Sequence, residues 1–446
     1  MSPALPAKGA MYLPHYEVSR PRNPIQNQHL PLQRWVVLWP NLTDSNAFLL
    51  QSINRLRPLR MDQKTLPFHV PDIGDEEVAE VVDVLRSGWL TTGAKARDFE
   101  REFAAMVGAK HAVAVNSCTA ALHLALEAAE IREGDEVLVP TMTFAATAEV
   151  VTYVKAKPVL VDCVDNTLNL DTGRLEQGIT DKTKAIIPVH FAGHPCDMDQ
   201  ILSIAHAHDL RVIEDAAHAL PARYNGKMVG SIGESTCFSF YATKNITTGE
   251  GGMITTDNPE YAARVRMMSL HGLSRDAWNR YSAEGSWYYE ILAPGFKYNL
   301  TDIAAALGLA QLKKCERFWK TRERYAALYN EGFRDMPEIV CPQASSNVQH
   351  AWHLYVIQLE LDRLRISRNE FIHRLQEAGV GCSVHFIPLH LHPYYSETLG
   401  CQPNDYPVAS RIFQRILSLP LYSKMTETDV ARVIDIVRNL VKENRR

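Results

Sequence analysis

From residue 67 onward, short β-branched runs alternate with helical patterns, and this alternation restricts the fold more than any other feature. Helical patterns at 120–129, 145–153 and 198–208 lie between several of the runs. Such alternation predicts βαβ units and a mostly parallel seven-stranded sheet flanked by helices, an α/β fold. The predicted strands are 112–115, 136–139, 158–161, 185–189, 211–213, 236–240 and 253–255.

A second region of mixed pattern follows this α/β unit. Its last helix is predicted from about residue 428, because five apolar residues there recur at helical spacing: Val430, Val433, Ile434, Val437 and Val441. We therefore predict a large domain over 66–315 and a smaller α+β domain over 316–446. The other predicted elements are a helix at 301–330, a strand at 354–359, a helix at 366–378 and a strand at 383–386.

Residues 1–65 differ from the rest, being rich in Pro, Asn, Gln and Arg, with one short apolar run at 35–39. No sustained hydrophobic period runs through them. We predict a poorly ordered N-terminal extension. Met61 directly precedes the regular pattern and is an alternative native start.

Charge and cysteine usage exclude several classes of protein. The 47 basic and 51 acidic residues give a net charge of −4 without long runs of one sign, so nucleic acid and anionic membranes are not expected partners. No apolar stretch is long enough to predict a membrane span. The 8 cysteines are scattered without a CxxC pair. This usage predicts a reduced, cytoplasmic protein.

Lys244 carries the strongest chemical signal. It follows a predicted buried strand and precedes the glycine-rich stretch Gly249, Gly251 and Gly252. Burial there would lower the pKa of its amine and make the amine nucleophilic, as a Schiff-base lysine requires. The alternative is an ordinary exposed loop lysine, which leaves the neighbouring Ser239 and the glycines unexplained.

Asp215 ends a predicted strand, where open α/β sheets place groups that bind ligands. A pyridoxal cofactor needs a carboxylate against its ring nitrogen, because the protonated ring is the electron sink of the reaction. Asp215 is the candidate for this role. Its alternative role is a helix N-cap, which is common for Asp after a strand.

Residues 116–119 (Asn-Ser-Cys-Thr) join a predicted strand to a predicted helix. Free N–H groups and the positive end of the helix dipole favour phosphate binding at such a junction. The signal is weak alone, since hydroxyl residues cap many helices. Together with Lys244 and Asp215, it completes the set of groups that a phosphorylated pyridoxal needs.

The chain resembles the DegT/DnrJ/StrS family of nucleotide-sugar aminotransferases through six motifs, two of which contain Asp215 and Lys244. The motifs lie at 87–93, 143–147, 214–218, 239–244, 271–272 and 298–302. The resemblance runs from about residue 66 to the C-terminus. It implies a fold-type I enzyme that uses pyridoxal 5'-phosphate (PLP). Motifs at 351–354 and 384–386 look closest to the subgroup that aminates C4 of a nucleotide-linked 4-keto sugar, such as UDP-4-amino-4-deoxy-L-arabinose aminotransferase.

The resemblance also implies a role for each matched residue. Lys244 would form the Schiff base with PLP, Asp215 would pair with the ring nitrogen and His218 would hydrogen-bond the ring hydroxyl. The cofactor phosphate and ring face would be held by Cys118, Thr119, Ser239, Phe144 and, from the neighbouring subunit of a homodimer with shared active sites, Asn299. Cys118 replaces the usual Gly or Ala, which is acceptable if only its backbone N–H makes the contact. Candidate substrate residues are Trp89, His385 and Arg275.

The expected reaction moves an amino group from L-glutamate to the C4 keto group of a nucleotide-linked sugar, for surface polysaccharide or glycan biosynthesis. A 3-keto sugar or inositol aminotransferase and a non-catalytic regulatory homologue are the alternatives. A metal site at His385, His390 and His392 is disfavoured, because no Cys or paired carboxylate lies near them and the chemistry needs no metal.

Overall fold

A computed structural model describes residues 65–274 and 288–446. The predicted N-terminal extension, 1–65, lies outside the described residues except for its last residue. The strands are β1 (His111–Val115), β2 (Glu136–Pro140), β3 (Lys157–Val161), β4 (Thr183–Ile186), β5 (Arg211–Asp215), β6 (Arg223–Tyr224), β7 (Lys227–Met228), β8 (Ser235–Ser239), β9 (Gly252–Thr256), β10 (Ile339–Val340), β11 (Val348–Gln349), β12 (Tyr355–Leu359) and β13 (Ile416–Leu419).

The larger sheet has seven strands in the order β1-β9-β8-β5-β4-β2-β3. Strand β9 is antiparallel to both of its neighbours, and the other pairs are parallel. Six strands therefore run in one direction, and their carboxyl ends meet at one edge. The predicted α/β fold with a mostly parallel seven-stranded sheet is confirmed.

Helices cover both faces of this sheet. In β1, Val113 and Val115 pack into one apolar core while Ala112 and Ala114 pack into the other, because successive side chains of a strand point to opposite faces. The helices are α1 (Asp75–Ser87), α2 (Ala94–Val107), α3 (Cys118–Ala128), α4 (Ala146–Tyr153), α5 (Met198–Ala207), α6 (Pro259–Met268), α7 (Asp302–Gly332), α8 (Arg368–Glu377), α9 (Pro393–Leu399), α10 (Pro407–Phe413) and α11 (Glu427–Asn444).

The C-terminal region has its own three-stranded sheet, in the order β10-β12-β13, and a separate apolar core. The predicted buried face of α11 is confirmed, since Val430, Val433, Val437 and Val441 are fully buried in that core. The predicted boundary between residues 315 and 316 falls inside α7 and stays a prediction.

Two strand predictions need correction. Strand β4 ends at Ile186, and the expected remainder to Val189 makes only an isolated bridge to Asp215. The strand predicted at 383–386 is wrong: Ser383 forms a single bridge with Ser418, and the following His385 and Phe386 line a cavity. The pattern at 383–386 therefore reflects packing around the cavity, and the stretch is not a strand of a sheet.

None of the helices in the described part of the chain combines the length and the apolar character that crossing a membrane requires.

Candidate active site

The carboxyl ends of β1, β5 and β8 surround a cavity of about 440 Å³. Parallel strands bring these three ends together although they are far apart in sequence, as expected for ligand sites in open α/β sheets. The predicted residues that line the cavity are Cys118, Thr119, Phe144, Asp215, His218, Ser239, Lys244 and His385.

Lys244 lies in the turn after β8, where its backbone N–H donates to Tyr241 O at 2.9 Å. Its side chain is partly buried and lines the cavity, in contrast to the exposed-loop alternative. Burial lowers the pKa of the Lys244 amine to about 8, against a smaller opposing effect of the Asp215 carboxylate. At pH 7, a larger fraction of this amine is therefore neutral and nucleophilic than in a lysine of ordinary pKa.

Asp215 ends β5 with its carboxylate buried and hydrogen-bonded. Its Oδ2 accepts from Thr147 Oγ1 at 2.8 Å and its Oδ1 accepts from Ala217 N at 3.1 Å. Burial raises the pKa of Asp215, and both hydrogen bonds oppose this rise by favouring the charged form. The next helix begins only at Pro259, so the alternative of a helix N-cap does not apply. The geometry suits a carboxylate that pairs with a buried cationic ring.

His218 presents a hydrogen-bond donor to the cavity. Ala192 N donates to its Nδ1 at 3.3 Å. Burial holds the pKa of His218 well below its usual value, so the ring is neutral and its single proton lies on Nε2. An aromatic side chain, Phe386, stacks at 5.9 Å between ring centroids. Phe386 also lies 5.9 Å from the ring of Phe144, which is 63% exposed and free to stack on a planar ligand.

The loop before α3 has the features of a phosphate site. Ser117 caps the helix by accepting from Ala120 N at 3.0 Å, and the first amides of a helix have no partner within it. The thiol of Cys118 points away, donating to Cys237 O at 3.6 Å, so only its backbone N–H can meet a ligand. Gly252 permits this close packing, since a Cβ there would lie 2.5 Å from Ser117 O.

Two predicted site residues, Trp89 and Asn299, do not line this cavity. Asn299 donates to Thr92 Oγ1 at 2.7 Å, and Trp89 donates through Nε1 to Thr92 O at 3.1 Å, so these two residues lie together around Thr92. Arg275 lies outside the described residues. The expected contribution of Asn299 to a neighbouring subunit's site stays a prediction.

The sequence interpretation missed two further imidazoles that line the cavity, His69 and His353. His353 Nδ1 lies 3.0 Å from Asn245 Oδ1, and its ring is 4.4 Å from that of His218. His353 belongs to the motif at 351–354, through which the chain resembles the C4-aminating subgroup. That resemblance did not indicate that the His353 ring lies in the cavity. His69 lies before the first predicted strand or helix, and no sequence signal connected it with distant residues such as Lys244.

Two histidines of the disfavoured metal site, His385 and His390, have other partners. Both ring nitrogens of His390 are engaged, Nδ1 with Thr141 Oγ1 at 2.7 Å and Nε2 with Ser410 Oγ at 2.9 Å. His385 Nδ1 lies 2.8 Å from Ser418 Oγ. Within 65–274 and 288–446, no three His, Cys, Asp or Glu side chains are placed to hold a metal ion.

These groups fit PLP as the cofactor. The cavity is lined by the nucleophilic amine of Lys244, the buried carboxylate of Asp215 and the neutral imidazole of His218. The start of α3, which suits a phosphate, lines the same cavity. Gly252 of β9 packs closely against the loop, since a Cβ there would lie 2.8 Å from Cys118 N, and residues 117–119 of the loop line the cavity. Each group of the cofactor thus has a complementary group in the protein.

Comparison with known proteins gives the same result. The model of the DegT/DnrJ/EryC1/StrS aminotransferase family matches residues 71–438. Among curated proteins, the spore coat polysaccharide biosynthesis protein SpsC of Bacillus subtilis is 52% identical over 378 residues, which are 84% of this chain and 97% of SpsC.

Solved structures of aminotransferases share the fold. Spr1654 of Streptococcus pneumoniae in its PMP form matches with a TM-score of 0.80 and 38% identity, covering 85% of this chain and 99% of Spr1654, and its PLP form matches with a TM-score of 0.79. PseC of Helicobacter pylori, an aminotransferase involved in the biosynthesis of pseudoaminic acid, matches with a TM-score of 0.79 and 27% identity, covering 85% of this chain and all of PseC (100%).

Proposed function

Since this chain belongs to the DegT/DnrJ/EryC1/StrS aminotransferase family and is a PLP-dependent aminotransferase, we propose that it transfers an amino group from L-glutamate to the C4 keto group of a nucleotide-linked sugar. The observation that carries the proposal is the meeting of Lys244, Asp215 and the loop at 117–119 in one cavity. A non-catalytic homologue would have no use for a lysine of lowered pKa beside a buried carboxylate.

When bound, PLP supplies the electron sink for the carbanion chemistry of transamination. Lys244 would hold the cofactor, and its amine of lowered pKa would accept and return a proton at the reacting carbon. The Asp215 carboxylate, oriented by Thr147, would hold the ring nitrogen in its cationic form. His218, whose Nδ1 accepts from Ala192 N, would donate from Nε2 to the ring oxygen.

Two observations support a sugar substrate in biosynthesis. SpsC takes its name from spore coat polysaccharide biosynthesis, and PseC is involved in the biosynthesis of pseudoaminic acid. We extend this role to the present chain, with activated sugars built in the cytoplasm for a surface polysaccharide or glycan. The motif containing His385 favours the C4-aminating subgroup, and His385 lies in the cavity wall, where it can contact the sugar.

The substrate assignment predicts activity in a glutamate-dependent assay over a panel of 4-keto and 3-keto nucleotide sugars and inositol ketones. We expect amination of 4-keto sugars, at least tenfold above the 3-keto series in kcat/KM, because a differently placed carbonyl misses the reacting position in a preformed cavity. Product formation measured by mass spectrometry checks this result. Activity confined to 3-keto sugars or inositol ketones would replace the C4 assignment by that alternative.

We further propose a homodimer with shared active sites. Trp89 and Asn299 lie together around Thr92 and outside the cavity of their own chain, as residues that serve a neighbouring site would. Large apolar side chains are exposed at Leu90, Ile291 and Leu292, with exposed fractions of 44%, 68% and 60%. Such surface is typical of a subunit interface, and a closed dimer buries it symmetrically.

Mixing two inactive variants tests the shared site. Lys244→Ala removes the cofactor attachment and Asn299→Ala removes the contribution to the neighbour, so a mixed dimer contains one site with both residues intact. On mixing equal amounts, we expect activity to return to about a quarter of the wild-type level. Random pairing makes about half of the dimers mixed, and each mixed dimer has one intact site out of two. Absence of any recovery, with mixed dimers shown by mass spectrometry, would indicate self-contained sites.

A further inference from the structure

A fully buried histidine–glutamate pair, His190 and Glu214, lies next to residues that line the cavity without lining it itself. His190 and Glu214 have no exposed side-chain surface (0% each), and His190 Nε2 lies 2.9 Å from Glu214 Oε2. The other carboxylate oxygen, Oε1, accepts from Gly233 N at 2.7 Å and from Thr236 Oγ1 at 2.8 Å. Burying a carboxylate is costly even when it is hydrogen-bonded, so this pair needs a reason beyond packing.

The hydrogen bonds of His190 fix its protonation. Cys196 N donates to His190 Nδ1 at 3.0 Å, so Nδ1 carries no proton and the ring donates from Nε2 to Glu214. The backbone N–H of His190 donates to Asp215 O at 3.1 Å. The ring and the backbone of His190 are therefore both anchored at the end of β5.

His190 begins a tight turn, residues 190–193, that continues to the cavity wall. Ala192 and Gly193 have φ angles of +56° and +98°, a backbone conformation that side chains disfavour. Ala192 N donates to His218 Nδ1, and Ala192 O accepts from His353 N at 3.0 Å. A Cβ at Gly193 would lie 2.8 Å from His218 O, so the turn has no room to move toward His218.

We propose that Glu214 and His190 are positioning residues that hold the turn 190–193 so that Ala192 N–H always meets His218 Nδ1, which keeps the His218 proton on Nε2. The inference rests on the proposed role of His218 as a donor to the cofactor ring oxygen. A His218 ring with the other tautomer would present a lone pair to an anionic oxygen and repel it.

The substitution Glu214→Gln tests this arrangement with almost no change in volume. If the amide oxygen keeps the donors Gly233 N and Thr236 Oγ1, the amide NH₂ faces His190, whose Nε2 must then accept. The His190 proton then moves to Nδ1, where it points at the N–H of Cys196, which is also a donor. Because two donors repel each other, the turn shifts away from His218. A donor to the ring oxygen is lost, and that oxygen becomes more basic.

The readout is the pH midpoint of the visible absorbance change of the PLP-loaded protein, which needs neither sugar nor amino donor. We expect Glu214→Gln to raise this midpoint by roughly 0.5 to 1 pH unit, the equivalent of one hydrogen bond. Thr236→Val is the matched control: it removes a donor to the same carboxylate but leaves the His190 bond, and the midpoint should stay unchanged.

A double-mutant cycle shows whether the effect passes through His218. In a His218→Phe background, Glu214→Gln should shift the midpoint by less than about 0.2 pH unit. An equal shift in both backgrounds, or no shift in the folded single variant, would overturn the proposal. Should Glu214→Gln not fold, Gly193→Ala displaces the same turn from its other end and must show the same dependence on His218. Failure of sugar amination would leave this result intact and count only against the proposed substrate.

Discussion

The Lys244→Ala protein is expected to lose transamination by more than about a thousandfold, together with the visible absorbance of the lysine-bound cofactor. In the proposed mechanism, Lys244 is both the attachment point of PLP and the group that moves the proton, and a positioned acid–base group alone contributes about 10² to 10⁴ in rate. Spectra of the purified protein after addition of PLP and steady-state rates with glutamate measure the two effects. Steady-state turnover close to wild type would refute the assignment of Lys244.

Two control variants separate the role of the amine from general effects. Lys244→Arg keeps a positive charge in the cavity, but a guanidinium is never deprotonated in proteins, so this variant should be as inactive as Lys244→Ala. Lys227→Ala removes an exposed lysine on β7 and should retain wild-type spectra and rates. Recovery of activity in Lys244→Arg would mean that Lys244 acts by charge and not as a nucleophile.

The sequence predicted the cofactor side of the cavity because that side follows the topology of the sheet. Asp215 and Ser239 end strands β5 and β8, and residues 117–119 follow β1. The three strands run in the same direction, so knowledge of the strands alone places these residues at one edge. The lowered pKa of Lys244 follows from the same burial.

The opposite wall could not be predicted in this way. His69 and His353 enter the cavity from loops that pack there through tertiary contacts, and no local periodicity describes such contacts. The turn at Ala192 and Gly193 depends on positive φ angles. Alanine rarely adopts a positive φ, so the sequence gives no sign of this turn. The strand expected at 383–386 was mistaken because apolar residues that line a cavity resemble those of a buried strand.

Asp215→Asn is expected to lower kcat by about a hundred- to ten-thousandfold, the range of a key proton-holding group, with PLP still bound through Lys244. The amide is isosteric and its oxygen can still accept from Thr147 or Ala217, so the fold around β5 should survive. What the amide lacks is the charge that keeps the ring nitrogen protonated, and without that proton the ring is a poor electron sink. Rapid-scan spectra and single-turnover rates with glutamate measure the loss.

The substitution Asp215→Glu distinguishes the charge of Asp215 from its hydrogen bonds. Glutamate keeps the charge but is longer, so the carboxylate cannot hold both Thr147 Oγ1 and Ala217 N in their present geometry. If charge on the ring nitrogen dominates, Asp215→Glu should be at least tenfold more active than Asp215→Asn. If Asp215→Asn is instead the more active of the two variants while both bind PLP equally well, the hydrogen-bonded position of the side chain dominates, and Asp215 acts mainly by orienting the ring. Wild-type kcat in Asp215→Asn would remove Asp215 from the reaction altogether.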